Sequence, residues 1–186
     1  TEADFSYDNE NNTVKNSVDT SLIISIATEF NFGNSFETFS IEAVNDADTF
    51  EEMLESHIDD FSEIFNNSDI SFSSPEEAEA LSTGERLSRL KEDENAEDDG
   101  LYALYFAFGK YLLLSSSRYD TLPANLQGVW AEKLENPWNA DYHTNINLQM
   151  NYWLPEIANI SECHLPLFRY MNEYLLESGK KTAKEN

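Results

Sequence analysis

The sequence predicts a mainly helical chain in which a short β segment precedes the helices, and three observations support this prediction. Residues 101–117 are apolar on nearly every side, which is typical of a helix buried among other helices. Residues 49–65 repeat apolar side chains at helical spacing. Residues 20–30 alternate instead with the period of two that is typical of a strand.

The β segment is predicted at residues 20–30, which read TSLIISIATEF. Its alternation puts Leu22, Ile24 and Ile26 on one face of a strand. The polar stretch 8–12 predicts a turn, and the sequence TVKNSV after it predicts a weak partner strand. Since two strands alone are marginal in water, we interpret this segment as part of a larger sheet.

The first helix is predicted over residues 49–65. Asp48 or Thr49 can cap its start, and two glutamates occupy its first turn. Its apolar stripe consists of Phe50, Leu54, His57, Ile58, Phe61, Ile64 and Phe65. Because His57 lies on this stripe, it is interpreted as a packed histidine rather than a ligand.

Charge divides the chain into two halves. Residues 1–100 contain 27 Asp and Glu against 4 Lys and Arg, whereas residues 101–186 contain 9 against 7. An acidic first half repels nucleic acid and anionic membranes, so the expected ligand is neutral or cationic, and solvation explains the charge itself. Within the acidic stretch 67–99 one short helix is predicted, with Ser82 and Glu85 at capping-box spacing.

The second half is predicted to be helical around a long irregular insertion. A membrane span at residues 101–117 is set aside, because the run is too short and Gly109 and Lys110 interrupt it. A further helical stripe runs through Leu167, Phe168, Met171, Tyr174 and Leu175. The irregular insertion lies between these helices, at about residues 118–147. Long ordered loops between packed helices commonly carry function.

Sharp catalytic signatures are missing from the sequence. It contains no phosphate-binding loop, zinc pattern, dinucleotide fingerprint or nucleophile elbow. The lone cysteine, Cys163, has no metal-site spacing and is interpreted as a core thiol. We therefore predict no cofactor and no metal. No apolar signal stretch occurs in the sequence, and secreted, periplasmic and cell-surface locations stay open for the complete protein.

The stretch DYHTNINLQMNYW, residues 141–153, combines neutral amides with one histidine. All three tryptophans fall between residues 130 and 153. Aromatic rings stack on the apolar faces of sugars, and amides both donate to and accept from hydroxyls, so this composition suits a sugar site. The alternative is that the amides cap helix ends and the tryptophans belong to the core. Composition leaves both interpretations open.

Two local conformations are expected in this stretch. An extended chain at residues 143–147 aims His143, Asn145 and Asn147 at one side. A helix from Asn147 onward buries Leu148 with Tyr152. We favour the extended form first and the helix after it.

The sequence closely resembles the start of the catalytic domain of glycoside hydrolase family 95, which comprises α-L-fucosidases and some α-L-galactosidases. The resemblance rests on LPANLQGVW, PW, the His-x-Asn-x-Asn run, MNYW and SECHLPLF, which occur in family order. It is specific over residues 100–186, looser at residues 57–91 and weakest before them.

The resemblance implies the first helices of an (α/α)6 barrel, preceded by a short β remnant of an N-terminal β-sandwich domain. Residues 1–44 would be the end of the sandwich, residues 45–99 an acidic helical linker, and residues 100–186 the N-terminal part of the catalytic domain.

The resemblance also implies the chemistry. The family inverts configuration, and by its motif Asn145 and Asn147 would hold the attacking water while His143 contacts the sugar. Further substrate-binding residues are expected at Trp138, Gln127 and Trp153.

The family's charged catalytic groups, a general acid and a polarising aspartate, lie beyond residue 186, so this chain alone is expected to be inactive. The expected partners are a fucosylated oligosaccharide or glycan and the remainder of the chain's own barrel, with no nucleic acid and no membrane insertion. A noncatalytic carbohydrate-binding or scaffold segment is the alternative function, and L-galactose is the alternative sugar.

Overall fold

The computed structural model describes residues 4–7, 12–15, 21–28, 35–45 and 48–185. The chain divides into two compact units, residues 1–60 and residues 61–186. The first unit begins with two short antiparallel strands, β1 (Asp4–Tyr7) and β2 (Asn12–Lys15). Asp4 pairs with Lys15 and Tyr7 pairs with Asn12.

The prediction of a strand at residues 20–30 is wrong for residues 21–28, the part of this segment that the structure describes. Residues 21–28 have no regular secondary structure, and Leu22, Ile24 and Ile26 are exposed. A strand needs a neighbour that takes its backbone hydrogen bonds and covers its apolar face. The expected partner, β2, pairs with β1 instead. The ends of the predicted strand and most of the predicted turn at residues 8–12 lie outside the described residues.

Two helices follow, α1 (Phe36–Asn45) and α2 (Phe50–Phe65). The start of α2 confirms the predicted cap. The Thr49 amide donates to Glu52 Oε2 at 3.1 Å, and the Glu52 amide donates to Thr49 Oγ1 at 3.4 Å, which satisfies amides at the helix start. The packing predicted for His57 is wrong, because this side chain is exposed and no residue of α2 is buried.

The second unit contains the remaining helices of the described chain: α3 (Glu76–Glu79), α4 (Thr83–Glu92), α5 (Gly100–Ser116), α6 (Asn147–Asn151), α7 (Leu154–Ile157), α8 (Leu165–Tyr170) and α9 (Leu176–Glu185). Two 3-10 turns lie at Pro137–Ala140 and Ser161–His164, and a π-helical turn, Met171–Leu175, joins α8 to α9. The predicted helix at residues 101–117, the helical stripe from Leu167 to Leu175 and the capping box of α4 are confirmed.

The core of this unit forms where the second half of α5 meets the short helices after the loop. Its buried residues are Leu113, Leu114, Ala124, Leu148, Tyr152, Ala158, Ile160, Cys163 and Leu167. The described residues do not cover the first half of α5, where Tyr102 and Tyr105 are 69% and 78% exposed. In the first half of α5, Phe106 is the residue that packs against this core. In the part of the chain that is described, no helix has the length and apolarity to cross a membrane.

Lys110 is the charged residue within the apolar helix α5, and it is almost fully buried. Its ammonium group donates to the carbonyls of Phe65, at 2.5 Å, and Ser68. It also lies 4.5 Å from the centre of the Phe65 ring, a favourable cation–π distance. Burial lowers the pKa of Lys110. These contacts tie the segment after α2 to the middle of α5.

A second buried charge, Asp98, fixes the start of α5. Arg86 donates to both oxygens of this carboxylate, at 2.5 and 2.8 Å. Ser74 Oγ donates to Asp98 at 2.6 Å and accepts from the Gly100 amide at 3.1 Å. The hydrogen bonds from Arg86 and then Ser74 hold the pKa of Asp98 well below its usual range, against the opposing effect of burial.

This ion pair predicts how stability depends on pH. A depressed carboxyl pKa contributes stability that is fully present above the unfolded-state value of about 3.9 and is lost as the pH falls toward the folded-state value. Asp98→Asn should therefore lower the melting temperature at neutral pH, and the difference from wild type should shrink below about pH 4. Circular dichroism melts between pH 3 and 8 would measure it.

The matched control is Asp99→Asn, since Asp99 is the exposed neighbour. It should melt like wild type throughout. Equal melting of Asp98→Asn and wild type at neutral pH would contradict the role given to Asp98.

Candidate functional site

The candidate site lies in the irregular segment between α5 and α6, where the insertion is predicted. One buried hydroxyl anchors this loop. Tyr152 Oη accepts from the Ala124 amide at 2.8 Å and lies 2.7 Å from Ser117 Oγ. Because Ser117 Oγ uses its single proton to donate to the Cys163 carbonyl at 2.8 Å, Tyr152 must be the donor to Ser117. Burial raises the pKa of Tyr152, which keeps this donor protonated.

A second tyrosine holds the far end of the loop. Tyr142 Oη donates to the Pro123 carbonyl at 2.9 Å, and its ring lies 4.8 Å from the Tyr170 ring. Burial raises the pKa of Tyr142 to about 12, so the hydroxyl stays a donor. The two tyrosine hydroxyls are therefore hydrogen-bonded to the backbone of neighbouring residues, Tyr142 to Pro123 and Tyr152 to Ala124.

A cleft of about 450 Å³ opens between α5 and the loop. Its polar wall consists of Asn125, Gln127 and Asn151, and its aromatic wall includes Trp130 and Tyr105. Apolar residues and small residues of α5 complete it: Gly109, Leu112, Leu113 and Ser116. A surface that combines amides with aromatic rings suits a neutral, hydroxyl-bearing ligand.

A tight turn builds the polar wall of the cleft. The Gly128 amide donates to the Asn125 carbonyl at 3.1 Å, and Asn151 Nδ2 donates to the same carbonyl at 3.0 Å. Gly128 has a φ of +63°, and a Cβ there would meet the Trp130 ring at 3.0 Å, so glycine is required. Gln127 Oε1 is buried and has no hydrogen-bond partner among the described residues.

A strained turn precedes the histidine. Trp138, Asn139 and Ala140 have φ values of 51°, 56° and 52°, a left-handed conformation that costs non-glycine residues about 1–2 kcal/mol each. Such strain concentrates at functional sites. The turn leads into Asp141, whose Oδ1 lies 2.7 Å from His143 Nε2.

Asn145 and Asn147 follow, but not in the extended form that we favoured. Residues 144–146 form a turn, because the Leu148 amide donates to the His143 carbonyl at 2.9 Å and the Met150 amide donates to the Ile146 carbonyl at 2.9 Å. The helix predicted from Asn147 is confirmed, with Leu148 and Tyr152 buried. The alternation expected of residues 143–147 is therefore wrong, since hydrogen bonding into α6 curls the chain.

The amides of Asn145 and Asn147 are exposed. Neither side chain forms a hydrogen bond to any other residue that the structure describes. They do not cap a helix end and do not satisfy buried backbone, which were the roles expected of structural amides. Both are therefore available to water or a ligand.

The three tryptophans are not core residues of this chain. Trp130, Trp138 and Trp153 are 41%, 72% and 61% exposed. Of the predicted site residues, Gln127 lines the cleft. The others do not belong to its lining: His143, Asn145, Asn147, Trp138 and Trp153. His143 lies beside Asp141 instead.

No specific role was predicted for Asn125 or Asn151, which line the cleft. Asn125 precedes Gln127 by two positions and Asn151 follows Asn147 by four, so spacing along the turn and along α6 could have indicated both. Trp130 was indicated only as one of the three tryptophans near a possible sugar site, and Asp141 only as part of the stretch 141–153. Among the described residues, no group of three His, Cys, Asp or Glu is arranged to hold a metal ion.

Comparison with known proteins places these features in a family context. Residues 49–186 match the glycosyl hydrolase family 95 catalytic domain. The chain is 41% identical to alpha-L-fucosidase 2 of Arabidopsis thaliana over 142 residues, which are 74% of this chain and 16% of that protein. It is 38% identical to probable alpha-fucosidase A of Aspergillus niger over 129 residues, and 38% identical to probable alpha-fucosidase A of Aspergillus oryzae over 132 residues.

Both fungal matches cover 69% of this chain and, respectively, 16% and 18% of the relatives. The chain thus spans about a sixth of the length of the curated relatives that it matches.

The role of Tyr152 predicts a local effect on the loop. Tyr152→Phe removes the acceptor of the buried Ala124 amide, which should lower the free energy of local opening there by about 1–3 kcal/mol. Hydrogen exchange followed by mass spectrometry should show faster exchange in peptides that contain Ala124.

Tyr119→Phe is the matched control, because Tyr119 is an exposed tyrosine of the same loop. Its exchange should equal that of wild type. Unchanged exchange at Ala124 in Tyr152→Phe would show that the hydroxyl does not anchor the loop.

Proposed function

The chain belongs to glycosyl hydrolase family 95, and we propose that it forms part of an enzyme that hydrolyses terminal α-L-fucosyl residues of oligosaccharides or glycans. Support comes from the match over residues 49–186 and from the alpha-fucosidase names of its relatives in a plant and two fungi. The matched region contains the whole loop between α5 and α6. The proposed substrate is a neutral sugar, for which a cleft walled by amides is suited.

One observation carries the proposal for the chemistry. Asn145 and Asn147 lie two positions apart at the start of α6, and their side chains are exposed and form no hydrogen bond within the described chain. An amide oxygen can accept a proton of water, while the amide nitrogen donates to another acceptor. Two such amides separated by one residue could hold one water molecule in a fixed orientation. Fixed orientation of a nucleophile lowers the activation barrier by removing the entropy cost of assembling it.

We propose the following inverting reaction. The water held by Asn145 and Asn147 attacks the anomeric carbon, the bond from this carbon to the leaving oxygen breaks, and a general acid protonates that oxygen. The attacking water gives one proton to an asparagine amide oxygen, from which it passes to solvent, while the general acid gives one proton to the leaving oxygen. Because an amide oxygen is a weak base, a carboxylate hydrogen-bonded to the amide nitrogen is needed to polarise it. We assign neither this carboxylate nor the general acid to residues of this chain.

Sugar binding is proposed for four residues. His143 offers a ring nitrogen to a sugar hydroxyl, and Gln127 contributes an amide to the lining of the cleft. Trp138 and Trp153 offer exposed aromatic faces on which the apolar side of a sugar can stack. A site that uses only such contacts would bind sugars without hydrolysing them, and kinetics of the asparagine variants separate these two outcomes.

We further propose the domain organisation that the family implies. Residues 100–186 would be the first helices of an (α/α)6 barrel, residues 45–99 an acidic helical linker, and residues 1–44 the end of a β-sandwich domain. The exposed apolar side chains of α5, among them Tyr102, Tyr105 and Phe108, support a further layer of the same barrel as their partner. Soluble proteins rarely leave a contiguous group of large apolar side chains exposed to water.

The asparagines are tested in the complete enzyme that contains this chain. Asn145→Ala or Asn147→Ala should lower kcat by about 100-fold or more and change KM little, since the lost contact belongs mainly to the transition state. The measurement is steady-state kinetics on a 2′-fucosylated trisaccharide, with NMR of the first-formed anomer of the released sugar.

Asn136→Ala serves as the control, because its amide already bonds to the Lys133 carbonyl within the loop. It should keep normal kcat. A normal kcat for Asn147→Ala, or release of the α-anomer, would overturn the proposed mechanism and leave a sugar-binding role.

A further inference from the structure

We propose that the cleft between α5 and the loop binds a second sugar of the substrate, the neutral unit to which the fucosyl group is attached. In this assignment Trp130 and the amides of Asn125 and Asn151 select the leaving group, whereas Asn145 and Asn147 act at the bond that breaks. The inference rests on the proposed function and extends it to the specificity for the leaving group.

The cleft is distinct from the residues assigned to the reacting bond. Its lining includes neither Asn145, Asn147 nor His143. Its volume of about 450 Å³ lies in the range of about 300–1,000 Å³ that is typical of small-molecule sites. A fucosylated oligosaccharide contains at least one further sugar ring, which needs a binding surface of its own.

Helix α6 sets the distance between the two places. Asn147 is its first residue and Asn151 is its last. Residues four positions apart lie on the same side of an α-helix, with about 5–6 Å between their Cβ atoms. This spacing is comparable to the size of one sugar ring. A ligand that places its fucosyl unit at Asn147 can therefore place the next unit in the cleft, at Asn151.

Trp130 provides an aromatic surface in the cleft. Its amide donates to the Gln127 carbonyl at 3.2 Å, and its ring lies so close to Gly128 that a Cβ there would meet it at 3.0 Å. The centre of the Tyr111 ring lies 6.0 Å from that of Trp130, at an interplanar angle of 50°. The turn and α5 therefore position the indole, while 41% of the residue stays exposed. Such a ring suits stacking on the apolar face of a sugar.

The amides of the cleft leave one donor and one acceptor for a ligand. Asn125 Oδ1 accepts from the Gln127 amide at 2.8 Å, and Asn151 Nδ2 donates to the Asn125 carbonyl at 3.0 Å. Asn125 Nδ2 and Asn151 Oδ1 form no hydrogen bond to any residue that the structure describes. Sugar hydroxyls both donate and accept, so they match this pair. Of the described residues that line the cleft, none is charged, which favours a neutral sugar.

Two substrates with the same fucosyl group test the cleft in the complete enzyme. 2′-Fucosyllactose has a disaccharide as leaving group, whereas α-L-fucosyl fluoride has no second sugar. Trp130→Ala should lower kcat/KM about tenfold for the trisaccharide and less than about twofold for the fluoride, because the fluoride places no sugar against Trp130. Trp130→Phe, which retains an aromatic ring, should recover most of the loss.

Asn125→Asp tests the polar wall. This variant keeps the oxygen that accepts from the Gln127 amide but removes the amide donor. It should lower kcat/KM for 2′-fucosyllactose by about three- to tenfold and leave turnover of the fluoride nearly unchanged. Normal turnover of the fluoride also shows that a variant is folded. The control is Tyr119→Ala, at an exposed aromatic residue of the same loop outside the cleft lining, which should behave like wild type on both substrates.

Binding of lactose alone tests the cleft without the reaction. In NMR titrations of the complete enzyme, the dissociation constant of lactose should be about tenfold higher for Trp130→Ala than for wild type, since the lost stacking contact belongs to this sugar. Tyr119→Ala should bind lactose as wild type does.

Three results would overturn the proposal. The first is a loss of kcat/KM in Trp130→Ala that is equal for the two substrates, and the second is no loss for either. The third is lactose binding to Trp130→Ala that is no weaker than binding to wild type. Failure of the proposed function is distinguishable, since it appears as normal kcat in Asn145→Ala and Asn147→Ala and does not alter lactose binding.

Discussion

The hydroxyl of Tyr152 is the interaction on which the arrangement of the site depends. It accepts from the amide at the start of the loop and donates to Ser117 at the end of α5, and Ser117 in turn donates to the turn that precedes α8. One buried chain of hydrogen bonds therefore joins four parts of the fold. Buried polar groups are costly when unpaired, so each of these parts can occupy one arrangement only. These hydrogen bonds therefore fix the position of the loop that contains the candidate site.

The chemistry of the loop follows from what the network leaves exposed. The tyrosines and the apolar residues of α6 enter the core, which turns Asn145, Asn147 and the tryptophans outward. The acidic residues are concentrated in residues 1–100, and the described loop presents mainly amides and aromatic rings. A surface of that kind recognises hydroxyls and apolar ring faces rather than charge. This is consistent with the neutral sugar that we propose as the substrate.

Sequence patterns predicted what depends on local preference and missed what depends on partners. Helix α5 and the capping box at Ser82 were predictable, because apolar runs and caps act within one segment. The strand at residues 20–30 was not, since alternation describes a face but does not provide the neighbour that a strand requires. The turn at residues 144–146 was missed for a related reason: hydrogen bonds into α6 override the alternation of Asn145 and Asn147. Asp141, which lies beside His143, follows three residues in the left-handed conformation. The identities of these residues, Trp138, Asn139 and Ala140, do not predict such a turn.

The central claim is that the amides of Asn145 and Asn147 hold the attacking water. The most direct measurement is a crystal structure of the complete enzyme with β-L-fucose, the product of inversion, because its anomeric hydroxyl is the oxygen that the water contributes. We expect this hydroxyl to lie within about 2.7–3.2 Å of the side chains of both asparagines. An anomeric hydroxyl that contacts neither amide, with Asn145 and Asn147 bonded instead to other parts of the protein, would contradict it.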